Sequence, residues 1–97
     1  MILGLAAAAF AMIGTALADQ ADQDAENLFN ASCGWCHQDG GRAAGTGPVL
    51  AGSDKSDAFI VNRIKTGKAP MPAFGGALSE AQIAGLLRYI RALKPDQ

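Results

Sequence analysis

The chain has little of several residue types on which many functional sites depend. Its 97 residues contain one histidine, two cysteines and three methionines, and aromatic side chains make up 6% of the composition. The sequence after residue 18 shows no period-two alternation typical of a β-strand, no internal repeat and no low-complexity tract. The absence of strand patterns argues against a β-sheet fold. One histidine and two cysteines supply three ligands of a tetrahedral zinc site, and no fourth ligand is evident.

The N-terminus has the pattern of a secretory signal. Residues 2–14 are apolar, alanine or glycine throughout, and the small residues Ala16 and Ala18 form an A-x-A cleavage site. We expect a signal peptide over residues 1–18, cleavage after Ala18, and export of residues 19–97 to the periplasm as one domain. The alternative is an uncleaved leader that tethers this domain to a membrane, and the missing Lys or Arg before the apolar run departs from the usual signal pattern.

The scarce ligand residues are concentrated in the pentad Cys33-Gly34-Trp35-Cys36-His37. C-x-x-C-H is the signature of covalent haem attachment, in which two thioether bonds anchor the macrocycle and the imidazole binds iron. The other two methionines of the chain lie in the leader, so Met71 is the one methionine of residues 19–97. We therefore predict one covalently bound haem c, with His37 and Met71 as the axial metal ligands.

Helix signals indicate an all-α fold. A first helix is predicted to start at a cap formed by Asp22 or Asp24 and to lead directly into the pentad. A second helix is predicted to start at Ser53 or Ser56 and to end at Gly67, where a glycine cap is typical.

A third helix has the clearest boundaries. Ser79 and Gln82 form a capping box at its start, and Pro95 stops it. Glycines and prolines break the segments 38–52 and 68–77, which are predicted to be loops. Because so small a domain buries too little surface to be robust on its own, we expect the haem to stabilise it.

Residues 19–97 resemble a small class I bacterial cytochrome c over essentially their whole length. Gly47-Pro48-Val49-Leu50 matches the loop beside the proximal histidine in that family, and the stretch from Gly67 to Phe74 matches its methionine loop. The resemblance implies a small cytochrome c fold, with three to four helices wrapped around one covalently attached haem. It also implies that the Pro48 carbonyl accepts the second ring N–H of His37.

The resemblance further implies that the first and last helices cross where Phe29 meets Leu86 and Tyr89. The family usually has glycine four residues before that phenylalanine, where this chain has Ala25, so we expect a slightly wider crossing. The residues expected to keep water from the iron are apolar: Phe29, Leu50, Ile60, Ile64, Leu86 and Ile90. The complete set of predicted cofactor-binding residues is Cys33, Cys36, His37, Pro48, Leu50 and Met71.

If His37 and Met71 both bind the iron, no position on it is left open for a substrate or oxygen. The expected function is therefore outer-sphere electron transfer and not catalysis. We expect a soluble carrier between a periplasmic dehydrogenase, acting on sulfite, alcohol or similar substrates, and a cytochrome or terminal oxidase. No nucleic-acid partner is expected, and a membrane is involved only if the leader is uncleaved. One alternative is a thiol-disulfide oxidoreductase using Cys33 and Cys36, and another is a haem-based ligand sensor in which Met71 dissociates easily.

The distribution of charge indicates further sites. Arg42 and Arg63 are candidates to pair with the haem propionates. Acidic residues are concentrated near the start of residues 19–97, whereas Lys65 and Lys68 immediately precede the methionine loop. We expect these two lysines to steer an acidic partner to an apolar haem rim that includes Trp35.

Overall fold

The computed structural model describes the backbone of residues 2–95 and the side chains of residues 16–95. It contains three α-helices, α1 (Ile2–Ser32), α2 (Asp57–Thr66) and α3 (Glu80–Ala92), and a short 3-10 helix at Asp39–Gly41. No strand occurs between residues 2 and 95; the one isolated bridge pairs Lys68 with Met71. The all-α fold predicted from the sequence is confirmed.

The start of α1 differs from the prediction. The helix does not begin at an Asp22 or Asp24 cap but continues from Ile2 through both residues. Alanine and leucine have the highest helix propensities, so the leader itself extends the helix through the predicted cap. Cleavage after Ala18 stays a prediction. No helix in the described part of the chain is long and apolar enough to cross a membrane.

The other helix ends follow the capping signals. Ser56, not Ser53, caps α2, and its Oγ accepts a hydrogen bond from the Phe59 amide at 3.1 Å. Gly67 follows α2 with a φ of 69°, in the left-handed region that glycine adopts without strain. The capping box of α3 is present in full, with both of its hydrogen bonds between Ser79 and Gln82. The sequence therefore predicted these boundaries to within a few residues.

The core forms where α1 crosses α3. Phe29 is 1% exposed, and its ring centroid lies 4.7 Å from that of Tyr89. Leu86 is buried in the same cluster, as the predicted crossing requires. The buried Gly85 faces Ala25, so that small residues stand on both helices at this crossing. Gly85 could not be predicted as part of the crossing, because a glycine within an apolar stripe does not reveal which helix it will contact.

Arg91 connects α3 to the segment that leads into α2. Its Nε lies 2.8 Å from Asp57 Oδ1, and its guanidinium also donates to the carbonyl oxygens of Ser53, at 3.1 Å, and Lys55. These bonds fix the loop before α2 against the end of α3. That loop forms part of the wall of the cavity described below.

Candidate functional site

His37 is a buried imidazole held in a defined tautomer. Its Nδ1 lies 2.9 Å from the Pro48 carbonyl oxygen. A carbonyl oxygen only accepts, so Nδ1 carries the proton and Nε2 keeps the lone pair with which it can bind a metal. The arrangement matches the hydrogen bond that the family resemblance implied.

Gly47 lets the backbone approach this imidazole closely. A Cβ atom at Gly47 would lie 2.5 Å from His37 Cε1, and the Gly47 amide donates to the Cys36 carbonyl at 2.8 Å. The loop therefore lies directly against the ring that it orients. Only glycine provides the space, which gives a physical reason for the Gly-Pro pair at 47–48.

The two cysteines lie on a turn that continues from α1. The Cys33 amide donates to the Phe29 carbonyl at 2.7 Å, and the His37 amide donates to the Cys33 carbonyl at 3.0 Å. Both cysteines are free thiols. Burial, followed by the nearby Cys36, raises the pKa of the Cys33 thiol to about 11. A thiol with so high a pKa is a poor nucleophile at neutral pH, which counts against the thiol-disulfide alternative.

Met71 lies in a tight loop stabilised by backbone hydrogen bonds. The Lys68 amide donates to the Met71 carbonyl at 3.0 Å, and the Met71 amide donates back to Lys68 at 2.8 Å. A Cβ at Gly67 would lie 2.7 Å from the Met71 carbonyl oxygen, so glycine is needed here as well. The Met71 side chain is partly buried and packs against the core cluster. The loop thus holds the thioether against the apolar interior.

A cleft lies between the pentad, α2, α3 and the methionine loop. Its larger part is a cavity of about 550 Å³ and its smaller part a cavity of about 280 Å³. The residues common to both walls are His37, Pro48, Arg63 and Met71. The total volume suits a cofactor-sized ligand.

The structure brings all six predicted cofactor-binding residues to this cleft. Cys36 lines the smaller part, and the remaining five line the larger part. Each apolar residue predicted to shield the iron also lines the larger part: Phe29, Leu50, Ile60, Ile64, Leu86 and Ile90. An imidazole lone pair, a thioether, two thiols and an apolar wall are the groups that a haem c requires, so the residues present fit that cofactor.

The two arginines proposed for the propionates differ in position. Arg63 lines both parts of the cleft, whereas Arg42 lines neither and donates to the Asp39 carbonyl at 3.3 Å. Phe59 was not predicted to belong to the site, because its place in the sequence indicated only the helical repeat of α2. In the structure this residue is 41% exposed and lines the larger cavity. The four-residue spacing of Phe59 and Arg63 within α2, which puts both on one face of the helix, could have indicated that they lie together at the cleft.

The two lysines before Met71 differ in whether their charge is paired within the chain. Lys65 Nζ lies 3.0 Å from Glu80 Oε1, so its charge is paired within the chain. Lys68 is exposed and lines the smaller part of the cleft beside Ala69 and Pro70. Both lysines were expected to attract an acidic partner. Because Lys65 is paired with Glu80, that expectation now rests on Lys68.

A small all-α chain whose C-x-x-C-H pentad and methionine line one apolar cleft has the architecture of a small c-type cytochrome. The chain belongs to the cytochrome c family: residues 20–90 match the family model described as cytochrome C oxidase, cbb3-type, subunit III. Membership of this family implies a haem c cofactor and a role as an electron carrier. No solved structure matches the chain.

Curated relatives agree with this membership. The chain is 38% identical to a cytochrome c6 of Synechococcus sp. over 69% of its own length and 65% of the relative's. It is 38% identical to cytochrome c6 of Gracilaria tenuistipitata var. liui, over 72% of this chain and 71% of that protein. It is also 32% identical to the cytochrome c subunit of 4-cresol dehydrogenase [hydroxylating] of Pseudomonas putida, over 82% of this chain and 69% of the relative. The chain thus spans about two thirds of the length of these relatives.

Proposed function

We propose that the protein is a mono-haem c-type cytochrome that carries single electrons in an exported compartment. The observation that supports this most directly is that His37 and Met71 line the same apolar cleft as Cys33 and Cys36. When bound, the haem supplies an iron that alternates between Fe(III) and Fe(II). The residues of the cleft would anchor the haem, ligate its iron and exclude water.

Each part of the cleft has a role in this proposal. Cys33 and Cys36 anchor the haem covalently, and His37 offers Nε2 because Pro48 holds the proton on Nδ1. Met71 offers a thioether sulfur, a soft ligand that favours the reduced metal and so raises the reduction potential. The apolar wall that includes Leu50 and Leu86 disfavours the extra charge of the oxidised state.

The proposed partners are redox proteins of the same compartment. The donor is a dehydrogenase, and a relationship to a dehydrogenase cytochrome subunit supports this class without identifying the substrate. Sulfite and alcohol dehydrogenases are candidates, and the acceptor is another cytochrome or a terminal oxidase. The N-terminal leader, cleaved after Ala18, would direct the chain to the periplasm.

Trp35 and Lys68 are proposed to lie at the docking surface. Trp35 is 84% exposed although it stands between the two cysteines, and tryptophan is enriched at binding hot spots. The exposed Lys68 lies on the methionine loop. Together they offer an apolar contact and a charge that attracts an acidic partner.

A visible spectrum of the purified protein, produced with haem attachment, tests the proposal. We expect covalently bound haem, sharp bands after reduction, and a weak band at the red edge of the spectrum of the oxidised form from methionine ligation. Binding of carbon monoxide by the reduced wild-type protein would support the ligand sensor instead. A haem-free chain with a redox-active Cys33–Cys36 disulfide would support the thiol-disulfide enzyme.

A further inference from the structure

Tyr89 makes a long-range hydrogen bond that the packing of the helices does not require. Its hydroxyl donates to the Gly40 carbonyl at 2.8 Å, across 49 positions of the chain. The Tyr89 ring centroid lies 4.7 Å from that of Phe29, so the contact between α1 and α3 would exist without the hydroxyl. Burial raises the pKa of the Tyr89 hydroxyl, which therefore stays a hydrogen-bond donor at neutral pH.

The carbonyl that Tyr89 binds belongs to a turn with an unusual backbone. Asp39, Gly40 and Gly41 have φ angles of 51°, 64° and 100°, all in the left-handed region. Left-handed conformations are usually adopted by single residues, so a run of three persists only where its surroundings hold it. Among residues 16–95, the bond from Tyr89 is the one hydrogen bond that reaches this turn from outside residues 38–51.

The same turn holds the segment that orients His37. The Gly41 carbonyl accepts from the amides of Leu50, at 2.8 Å, and Ala51, at 3.0 Å. Pro48 lies two positions before Leu50, and its carbonyl oxygen lies 2.9 Å from His37 Nδ1. This turn is therefore the backbone support for the hydrogen-bond acceptor of the imidazole.

We propose that Tyr89 is a positioning residue for His37. By its hydrogen bond to Gly40 it holds the turn, and through the turn it keeps the Pro48 carbonyl against Nδ1. The inference rests on the proposed function, because a proton fixed at Nδ1 matters to the site only if Nε2 binds the iron. Tyr89 itself lines neither part of the cleft.

The test is the exchange of the His37 Nδ1 proton with solvent, measured by nuclear magnetic resonance on the reduced, haem-loaded protein. Tyr89→Phe removes the hydroxyl and keeps the ring against Phe29. Loss of one hydrogen bond should make local opening of the loop more frequent, so we expect this proton to exchange about fivefold faster than in the wild type. The Leu50 amide, which donates to the same turn, should also exchange faster.

The methionine loop provides an internal control in the same spectra. The Phe74 amide donates to the Ile64 carbonyl at 2.9 Å, and the Gly75 amide donates to the Lys65 carbonyl at 3.1 Å. Neither bond involves the turn at residues 39–41. Both amides should therefore exchange in Tyr89→Phe as they do in the wild type.

Ser79→Ala is the matched control variant. It removes a hydroxyl from the start of the helix that carries Tyr89, where Ser79 Oγ accepts from the Gln82 amide at 3.1 Å. Loss of this cap destabilises the fold without a direct effect on the turn. The His37 Nδ1 proton should therefore exchange in Ser79→Ala at the wild-type rate.

A wild-type exchange rate for the His37 proton in Tyr89→Phe would overturn the positioning role. The same acceleration in Ser79→Ala, or in the two methionine-loop amides of Tyr89→Phe, would also overturn it, because the hydroxyl would then only stabilise the fold as a whole.

If Tyr89→Phe takes up no haem, Gly40→Ala is measured in its place. A Cβ at Gly40 would lie 3.0 Å from the Tyr89 hydroxyl oxygen, which is closer than such atoms normally pack, so the hydroxyl must move. An unchanged exchange rate of the His37 proton in that variant would contradict the inference. Failure of the proposed function is distinguishable, because the wild-type protein would then lack covalent haem or the methionine band.

Discussion

Gly47 lies against the face of the His37 imidazole so closely that a methyl group at its Cα would come within 2.5 Å of ring atom Cε1. The same loop supplies the Pro48 carbonyl that accepts from Nδ1 at 2.9 Å. The orientation of the His37 imidazole, the predicted proximal ligand, is therefore set by the backbone. A residue without a side chain can in this way control the geometry of the site.

Gly47→Ala should displace the His37 ring and weaken its bond to Pro48. We expect a loss of about 1–3 kcal/mol in the free energy of unfolding, as for other substitutions that overpack a site. Thermal unfolding of the haem-loaded protein measures it. Gly76→Ala is the matched control, because a Cβ there would meet no atom within 4 Å. Equal melting temperatures for the two variants would contradict the proposed contact.

Met71→Ala removes the one methionine of residues 19–97, which is the predicted sixth ligand of the iron. The haem should stay attached, the reduction potential should fall, and the reduced protein should now bind carbon monoxide. Leu78→Ala is the control, since Leu78 packs against the same core but lines neither part of the cleft. An unchanged low-spin spectrum and potential in Met71→Ala would show that another group ligates the iron.

The double variant Cys33→Ala with Cys36→Ala, produced without haem, should be largely unfolded. Phe29, Leu86 and Ile90 line the cleft, so without a cofactor the apolar wall of the cleft beside them is left facing water. So small a domain has little other apolar area to offset the conformational entropy of the chain. Far-ultraviolet circular dichroism and thermal melting provide the measurement, and a native-like, cooperatively melting chain would disprove the prediction.

Lys68→Glu should slow electron transfer with the natural donor at low salt more than at high salt. Charge steering acts over a Debye length of about 10 Å at 0.1 M salt, so added salt screens it. Lys94→Glu, beyond the end of α3 and outside the cleft lining, makes the same change in net charge and should have a smaller effect. Electron-transfer rates that change with neither salt nor the charge at position 68 would contradict charge steering. The apolar haem rim would then be the entire docking surface.

Arg91→Gln should destabilise the fold without changing the iron ligands. The substitution breaks the bond to Asp57 and at least one of the two bonds to the carbonyls of the loop before α2. Since such hydrogen bonds are worth about 1 kcal/mol each, we expect a loss of roughly 1–3 kcal/mol, measured by chemical denaturation. Arg88→Gln, on an exposed position of the same helix without an ion pair among residues 16–95, should change stability much less.

Local sequence patterns were enough to predict the helix class and the ends of α2 and α3. These follow from local chemistry: capping residues bond to amides three positions away, and prolines and glycines interrupt helices wherever they occur. The pentad allowed haem attachment to be predicted, because histidine and cysteine are scarce in the chain. The predicted start of α1 was wrong, because the helix propensity of the leader outweighed a possible aspartate cap.

Which charged residues line the cleft depends on contacts between segments that are distant in the sequence. From the sequence, Arg42 and Arg63 were equally good candidates to pair with the haem propionates. In the structure Arg42 lies against the Asp39 carbonyl, whereas Arg63 lies on the cleft wall. Likewise Lys65 pairs with Glu80, fifteen positions along the chain, and Lys68 remains exposed. Long charged side chains have no local preference strong enough to choose a partner, so their roles depend on what the packing of distant segments brings within a few ångströms.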